Sequence, residues 1–215
     1  MLHDQATLLL CIRHGETEWN ATQRVQGHTD IALNARGQAQ AAALADALEG
    51  QALHAVYSSD LQRARQTADE LARRRGLPVL TDARLRERAF GDFEGHSFAA
   101  LEPVHAEDCA RWRHRDPDWG APGGGETLRG FHARIRDAVL ELARRHPGQT
   151  LALVTHGGAL DCLYRQATGQ EPQAPRTWEL RNAAINRLLV CEDRVSLVGW
   201  NDCGHLDQML DETGA

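Results

Sequence analysis

The chain contains no lysine. All 24 of its basic residues are arginines, set against 30 acidic ones for a formal net charge of −6 over 215 residues. An acidic balance of this kind gives no reason to expect DNA, RNA or an anionic membrane surface as a partner. It also makes any local gathering of arginines informative, because the chain as a whole is not basic. Long hydrophobic runs are missing too: nothing approaches the roughly 18–20 apolar residues that cross a bilayer. The amino terminus, "MLHDQATLLLC", lacks the basic start and extended apolar region of a signal peptide. Five cysteines (Cys11, Cys109, Cys162, Cys191 and Cys203) are an odd number, widely spaced and without a CxxC pair. That excludes a disulfide framework or a zinc ribbon and favours reduced thiols in a cytoplasmic protein.

What is present is ordinary for a folded globular protein: 42% hydrophobic and 25% charged residues. "TLLLCI" at 7–12 reads as a buried strand ending at Arg13. A polar, turn-rich stretch follows over 15–37. Then comes a helix in "GQAQAAALADALEG", with Gly50 as its stop. "HAVYSSD" reads as a second strand, with Ser58 or Ser59 available to cap a helix over 61–75 that ends in "ARRRG". "LPVLTD" is a third strand. Leu128, Phe131, Ile135, Val139 and Leu142 form one stripe of a helix over 127–145. "TLALVTHGG" is a fourth buried strand ending at His156, before a helix over 159–168. "NRLLVCEDRVSLVGWN" gives two strands joined by a turn at Glu192-Asp193. Strands alternating with helices predict an α/β fold: a three-layer α/β/α sandwich around a mainly parallel sheet. No linker or repeat divides the chain, so 1–215 reads as a single domain. The irregular 88–126 stretch reads as an inserted lid.

In an open parallel sheet, ligands bind beyond the carboxyl ends of the strands. Four predicted strands hand over near polar groups: Arg13-His14, Ser58-Ser59 leading to Arg63, the segment carrying Glu87, and His156-Gly157. Arginine forks fit phosphate oxygens. Histidine serves as a nucleophile, and a carboxyl group as proton donor to a leaving oxygen. A backbone carbonyl beside the strand end would fix the nucleophile's tautomer by accepting its other ring proton.

Taken in order, "RHGETEWN", "RVQGHTDIALNARGQAQA", "SSDLQRARQTA", "LRERAFGDFEG" and "VTHGG" resemble the histidine phosphatase superfamily, in the branch of cofactor-dependent phosphoglycerate mutases and their phosphatase relatives. "RNAAINRLLV" resembles the family's final strand region more weakly. The resemblance implies a nucleophilic His14 that becomes a phosphohistidine. It implies that Arg13, Arg63 and His156 hold the phosphoryl oxygens, with Glu87 as general acid and base; on chemical grounds His156 is expected protonated, so that with the two arginines it neutralises those oxygens. Asn20, Gln26 and Gly27 match positions lining the phosphate and substrate pocket, Thr17 falls in the same loop, and Gly157 follows the second histidine. No metal or other cofactor is required, since arginine and histidine do the electrostatic work. His28, Asp30 and His205 have no metal-ligand spacing.

Out of context these residues have plainer readings. His14 and His156 would be satisfied structural histidines, Arg63 part of a solvated helix face and Glu87 one charge of a surface strand. Asn20 would be a cap, Thr17 a loop brace, and Gln26 with Gly27 a turn. Arg73–Arg75 read best as a solvated helix end. The interval from Glu87 to His156, 69 residues (156 − 87), is short for a glycolytic mutase, and the lysine-bearing segment a mutase uses for its second anionic group is absent. Both points favour hydrolysis of a small phosphorylated metabolite, with a cofactor-dependent phosphoglycerate mutase as the alternative. Phosphoglycerates, sugar phosphates and ribazole phosphate are candidate substrates. Phe93, Phe98, Trp112 and Trp119 are candidate walls of the leaving-group pocket. A non-catalytic phospho-ligand sensor and a protein phosphatase are the readings from other classes. Family members are often dimers or tetramers, so a homodimer is admissible, although no exposed apolar stripe marks its interface.

Overall fold

A computed structural model describes residues 5–207. In chain order its elements are β1 (Thr7–Arg13), α1 (Glu18–Ala21), α2 (Ala35–Ala47), β2 (Ala55–Ser58), α3 (Gln62–Arg75), β3 (Val79–Thr81), α4 (Phe98–Leu101), α5 (Ala106–Arg113), α6 (Leu128–Arg144), β4 (Thr150–Thr155), α7 (Gly157–Thr168), β5 (Ile185–Cys191) and β6 (Arg194–Asp202). β1 explains the layering. Successive strand residues face opposite sides, and here both sides are dry. Leu9 and Cys11 join one core with Phe131, Ile135 and Val139 of α6 and Leu160 and Leu163 of α7. Leu10 and Ile12 join another with Leu44 of α2 and Ala64, Ala68 and Leu71 of α3. A strand covered on both faces reads as a continuous apolar run, and each aliphatic side chain so buried contributes about 1.5–3 kcal/mol.

The sheet has six strands in the order β3-β2-β4-β1-β5-β6. β1, β2, β3 and β4 run parallel, while β5 is antiparallel to β1, and β6 to β5. The α/β/α sandwich with a mostly parallel sheet is therefore as predicted. Its consequence for the site lies in the register of the two central strands. Arg13 of β1 pairs with Thr155 of β4, so the next residue of each, His14 and His156, leaves the sheet beside the other. The two-residue turn at Glu192-Asp193 and the αL cap at Gly76 after the basic last turn of α3 also stand as predicted.

Other local expectations fail for identifiable reasons. The turn-rich 15–37 stretch contains α1, a single turn closed by a capping box between Thr17 and Asn20. α2 starts at Ala35 because the Asn34 side chain accepts the Gly37 N–H, and it ends before Gly50. Neither Ser58 nor Ser59 is the N-cap of α3. Leu61 holds that position without a side-chain bond, the Ser58 hydroxyl donating to the Ser59 carbonyl instead. The stretch read as irregular holds α4 and α5, and Phe93, Leu101, Cys109, Trp119 and Ala121 make a small core of its own. Phe93 and Trp119 are thus spent on holding the inserted segment together rather than on lining a pocket; Phe98 and Trp112 pack partly against them. Cys11, Cys109, Cys162 and Cys203 are free thiols. No helix among the described residues is long and apolar enough to cross a membrane.

Candidate active site

His14 sits just past β1 with 3% of its surface exposed. Its backbone N–H donates to the Thr155 carbonyl, and its own carbonyl accepts the Asn182 side-chain amide at 2.9 Å. The ring nitrogen Nδ1 lies 2.7 Å from the Gly15 carbonyl. A carbonyl only accepts, so Nδ1 carries the proton and Nε2 keeps its lone pair. Burial first, then the Arg63 and Arg13 charges, push the His14 pKa well below 6.5. The ring is neutral.

The His156 ring lies 5.1 Å from that of His14, centroid to centroid. Here the tautomer is the reverse. Arg63 Nε–H donates to His156 Nδ1 at 3.3 Å, so the ring proton is on Nε2. That N–H is buried and has no protein partner. His156 has no exposed surface, and burial together with Arg63 holds its pKa well below 6.5. The expectation of a protonated His156 is therefore corrected: it is a neutral donor, because a cation is not sustained in full burial beside a guanidinium. Arg63 is itself fully buried. It spends two further N–H groups on the Gly27 and Thr29 carbonyls, at 2.7 and 2.8 Å, and burial brings its pKa down to about 10. Arg13 donates through Nη1 to the Leu180 carbonyl, while its buried Nε–H has no partner. Two unpaired donors, Arg13 Nε and His156 Nε2, thus accompany one unprotonated nitrogen.

Glu87 is held at both ends. His28 Nε2–H and Arg134 Nη2–H donate to its backbone carbonyl at 2.8 and 3.1 Å. Its carboxylate accepts the Gly158 N–H at 2.8 Å and the Arg88 N–H at 2.9 Å. Gly158 lies in the first turn of α7, where free amides and the helix dipole favour a negative charge. A Cβ on Gly158 would collide with Glu87 Oε1, whereas one on Gly157 would meet Arg13 Nε at an ordinary 3.5 Å.

The remaining predicted residues are assembled close by, largely through bonds to one another. The Thr17 hydroxyl is 3.0 Å from Gln26 Oε1 and 3.1 Å from Asn20 Oδ1, and the Thr17 side chain is fully buried. Asn20 Oδ1 also accepts from Asn182 at 3.3 Å. Gly27 contributes its carbonyl to Arg63. Its φ is +49, and Glu94 Oε1 fills the space that a Cβ would need, so no other residue fits there. Gly157 lines a cavity with Arg13 and Glu87.

Sequence reasoning missed three participants. Glu94 accepts from the N–H groups of His28, Thr29 and Phe90 and from the Thr29 hydroxyl, and so fixes the loop that feeds Arg63. Asn182 ties the final strand region to His14, and Gly158 seats Glu87. Each lies inside a motif of the family resemblance ("GDFEG", "RNAAINRLLV", "VTHGG"), which was the available signal. Among the described residues no three His, Cys, Asp or Glu side chains gather as metal ligands.

Comparison with known proteins agrees with this geometry. Residues 9–203 match the family model of the histidine phosphatase superfamily, branch 1. The chain belongs to that superfamily, and it is a phosphatase-type enzyme of it. It is 36% identical over 203 residues to phosphoglycerate mutase-like protein 4 of Arabidopsis thaliana, covering 93% of this chain and 87% of the relative. It is 33% identical over 210 residues to a metal-independent phosphoserine phosphatase of the same plant, covering 97% and 87%. Among solved structures, a phosphoserine phosphatase of Entamoeba histolytica in complex with phosphoserine superimposes with a TM-score of 0.83 at 28% identity, over 93% of this chain and 99% of that one.

Two outcomes follow from the geometry. Gly158→Ala must displace the Glu87 carboxylate, so kcat/KM on a phosphate monoester falls about 10-fold or more, while Gly157→Ala loses far less; steady-state kinetics with melting curves of both variants check this. The histidines set a pH dependence of stability. His14, His156 and also His132, whose pKa drops to about 4, are neutral in the fold. Below pH 6.5 the unfolded chain takes up the protons that they refuse, so stability is complete above that pH and is lost as the pH falls. The melting temperature drops between pH 7 and pH 5, on the order of 5–10 °C, and drops less in His156→Asn.

Proposed function

We propose that the chain hydrolyses small phosphate monoesters through a phosphohistidine at His14, without a metal. The observation that carries this reading is the 2.7 Å bond from His14 Nδ1–H to the Gly15 carbonyl. It leaves Nε2 as a nucleophile with fixed orientation, and it persists when phosphorylation makes the ring cationic. His14 Nε2 attacks phosphorus in line with the departing alcohol. Arg13 Nε–H, His156 Nε2–H and the remaining N–H groups of Arg63 receive the equatorial oxygens, where charge is spread in the transition state. Glu87 gives a proton to the leaving oxygen. It then takes one from the water that attacks the phosphohistidine, which restores His14 and releases phosphate. A neutral His156 serves better than a cation here, because it adds a donor without adding repulsion to Arg13 and Arg63.

Hydrolysis is favoured over mutase chemistry by the short interval before His156 and by the absence of lysine. Relatives named as phosphatases, one of them metal-independent, support the same choice. The mutase alternative has support in relatives named phosphoglycerate mutase-like or probable phosphoglycerate mutase, 33–36% identical to this chain. Free thiols at Cys11, Cys109, Cys162 and Cys203 support a cytoplasmic setting.

The test is phosphate release from a panel of monoesters in EDTA, wild type beside His14→Ala, with any 2-phosphoglycerate formed from 3-phosphoglycerate counted in the same tubes. Release that persists in EDTA and falls by at least about 10³-fold in His14→Ala, with an acid-labile phosphoryl group trapped on the wild type, is the expected result. Isomerised phosphoglycerate with little free phosphate would establish the mutase instead.

A further inference from the structure

Glu87 lies in a stretch without a helix or strand of its own. After the single 3₁₀ turn at Ala83–Leu85 the chain runs irregularly through residues 86–90, so its carbonyls need partners from elsewhere in the fold. The Leu85 carbonyl accepts the Thr155 hydroxyl at 2.7 Å, one residue before His156. The Ala89 carbonyl accepts the Glu126 N–H at 2.9 Å. The carbonyls of Arg84, Arg86 and Glu87 all turn to one side chain, Arg134 of α6, at 2.7, 3.0 and 3.1 Å.

A guanidinium has five N–H groups in a rigid fork, and Arg134 uses them all. Three end on those carbonyls. The other two go to Glu126, Nε to Oε1 at 2.9 Å and Nη2 to Oε2 at 2.7 Å. Glu126 closes the inserted segment and is itself held, since Arg88 Nε–H donates to its carbonyl at 2.8 Å. The pair is a bracket: Glu126 fixes the plane of the guanidinium, and the guanidinium fixes three carbonyls of the main chain that ends at Glu87. An ion pair near the surface adds little stability by itself. Hydrogen bonds from a cation to carbonyls are stronger and impose direction.

We infer that Arg134, aimed by Glu126, is a positioning residue for the general acid: it sets the main chain at Glu87 so that the carboxyl group meets the Gly158 N–H and faces the leaving oxygen. This rests on the phosphatase reading and deepens it. The Glu87 carboxylate is anchored to α7 through the 2.8 Å bond from Gly158, and its main chain to α6 through Arg134, so the residue is held between two helices. His28 Nε2 also holds the Glu87 carbonyl but does not reach those of Arg84 and Arg86. Lysine is no substitute, because an ammonium has three donors and no plane. Arg13 and Arg63 place their hydrogen bonds on other groups. A defect at Arg134 therefore reaches proton transfer and spares phosphate binding.

The experiment compares kcat/KM for glycerol 3-phosphate, whose alkoxide needs a proton to depart, with that for 4-nitrophenyl phosphate, whose phenolate departs without one. Arg134→Ala is expected to lose about 10- to 100-fold on the glycerol ester, within the worth of a general acid, and less than about 3-fold on the nitrophenyl ester. Arg134→Lys regains part of the loss, and Glu126→Gln shows the same pattern more weakly. In a Glu87→Ala background Arg134→Ala costs nothing further, and calorimetry finds the affinity for inorganic phosphate unchanged. Equal losses on the two esters, a further loss in the Glu87→Ala background, or weakened phosphate binding overturns the inference, because general damage to the fold produces all three. The Gly158 amide resonance reads the bond from Glu87 without turnover, and in Arg134→Ala it moves toward its position in Glu87→Ala. An unmoved resonance overturns the inference. A moved one supports it even if neither ester is hydrolysed, a result that would contradict the phosphatase reading alone. If Arg134→Ala does not fold, Glu126→Gln carries the same comparisons.

Discussion

A guanidinium with no exposed surface is costly unless its donors are met, and Arg63 is such a group. Three of its N–H bonds end on Gly27, Thr29 and His156, and much of the surrounding structure answers to those bonds. For two carbonyls of the 26–30 loop to point inward, Gly27 must take a positive φ, and Glu94 must collect the amides on the loop's other side. The third bond sets the tautomer of His156. The helix carrying Arg63 is itself tied to the loop after His14, since the Thr67 hydroxyl donates to the Arg63 carbonyl and accepts the Gly15 N–H. One buried cation therefore couples the loop after β1, the 26–30 loop, α3 and the end of β4.

The electrostatics follow from that burial. Two arginines stand at the site with Glu87 as the nearest counter-charge, which leaves no room for cationic histidines. Both rings are neutral, but their protons are on opposite nitrogens, one set by a carbonyl and the other by a guanidinium. The same scaffold thus makes a lone pair at His14 and a donor at His156. The parallel register of β1 and β4 sets them 5.1 Å apart. Glu87 completes the set on the amides of α7, the helix that His156 begins.

Most of the site was legible because its residues lie in short motifs at strand ends, where type and position together restrict the chemistry. Arg13-His14 and "VTHGG" could be placed from the apolar runs before them. The strands were readable for the same reason, since sheet burial leaves uninterrupted hydrophobic segments. What escaped depends on tertiary contact. The protonation of His156 turns on a bond to a residue 93 positions away, and Glu94 acts through backbone amides that no spacing rule reveals. The importance of Gly158 over Gly157 is a matter of which absent Cβ would face Glu87. α5 was hidden because "AEDCARWR" buries Cys109 alone in its core and so shows no helical stripe. Phe93 and Trp119 looked like pocket walls because an aromatic residue in an insertion gives no sign of which way it faces.

The opposed, neutral pair of histidine tautomers underlies the proposed mechanism, and long-range ¹H–¹⁵N correlation spectra read it out. The protein is labelled with ¹⁵N-histidine and held near neutral pH, with His14 and His156 assigned by substitution. His14 is expected with a protonated Nδ1 and a bare Nε2, and His156 with a bare Nδ1 and a protonated Nε2. Two ring protons on either histidine, or the same tautomer on both, would refute the opposed pair.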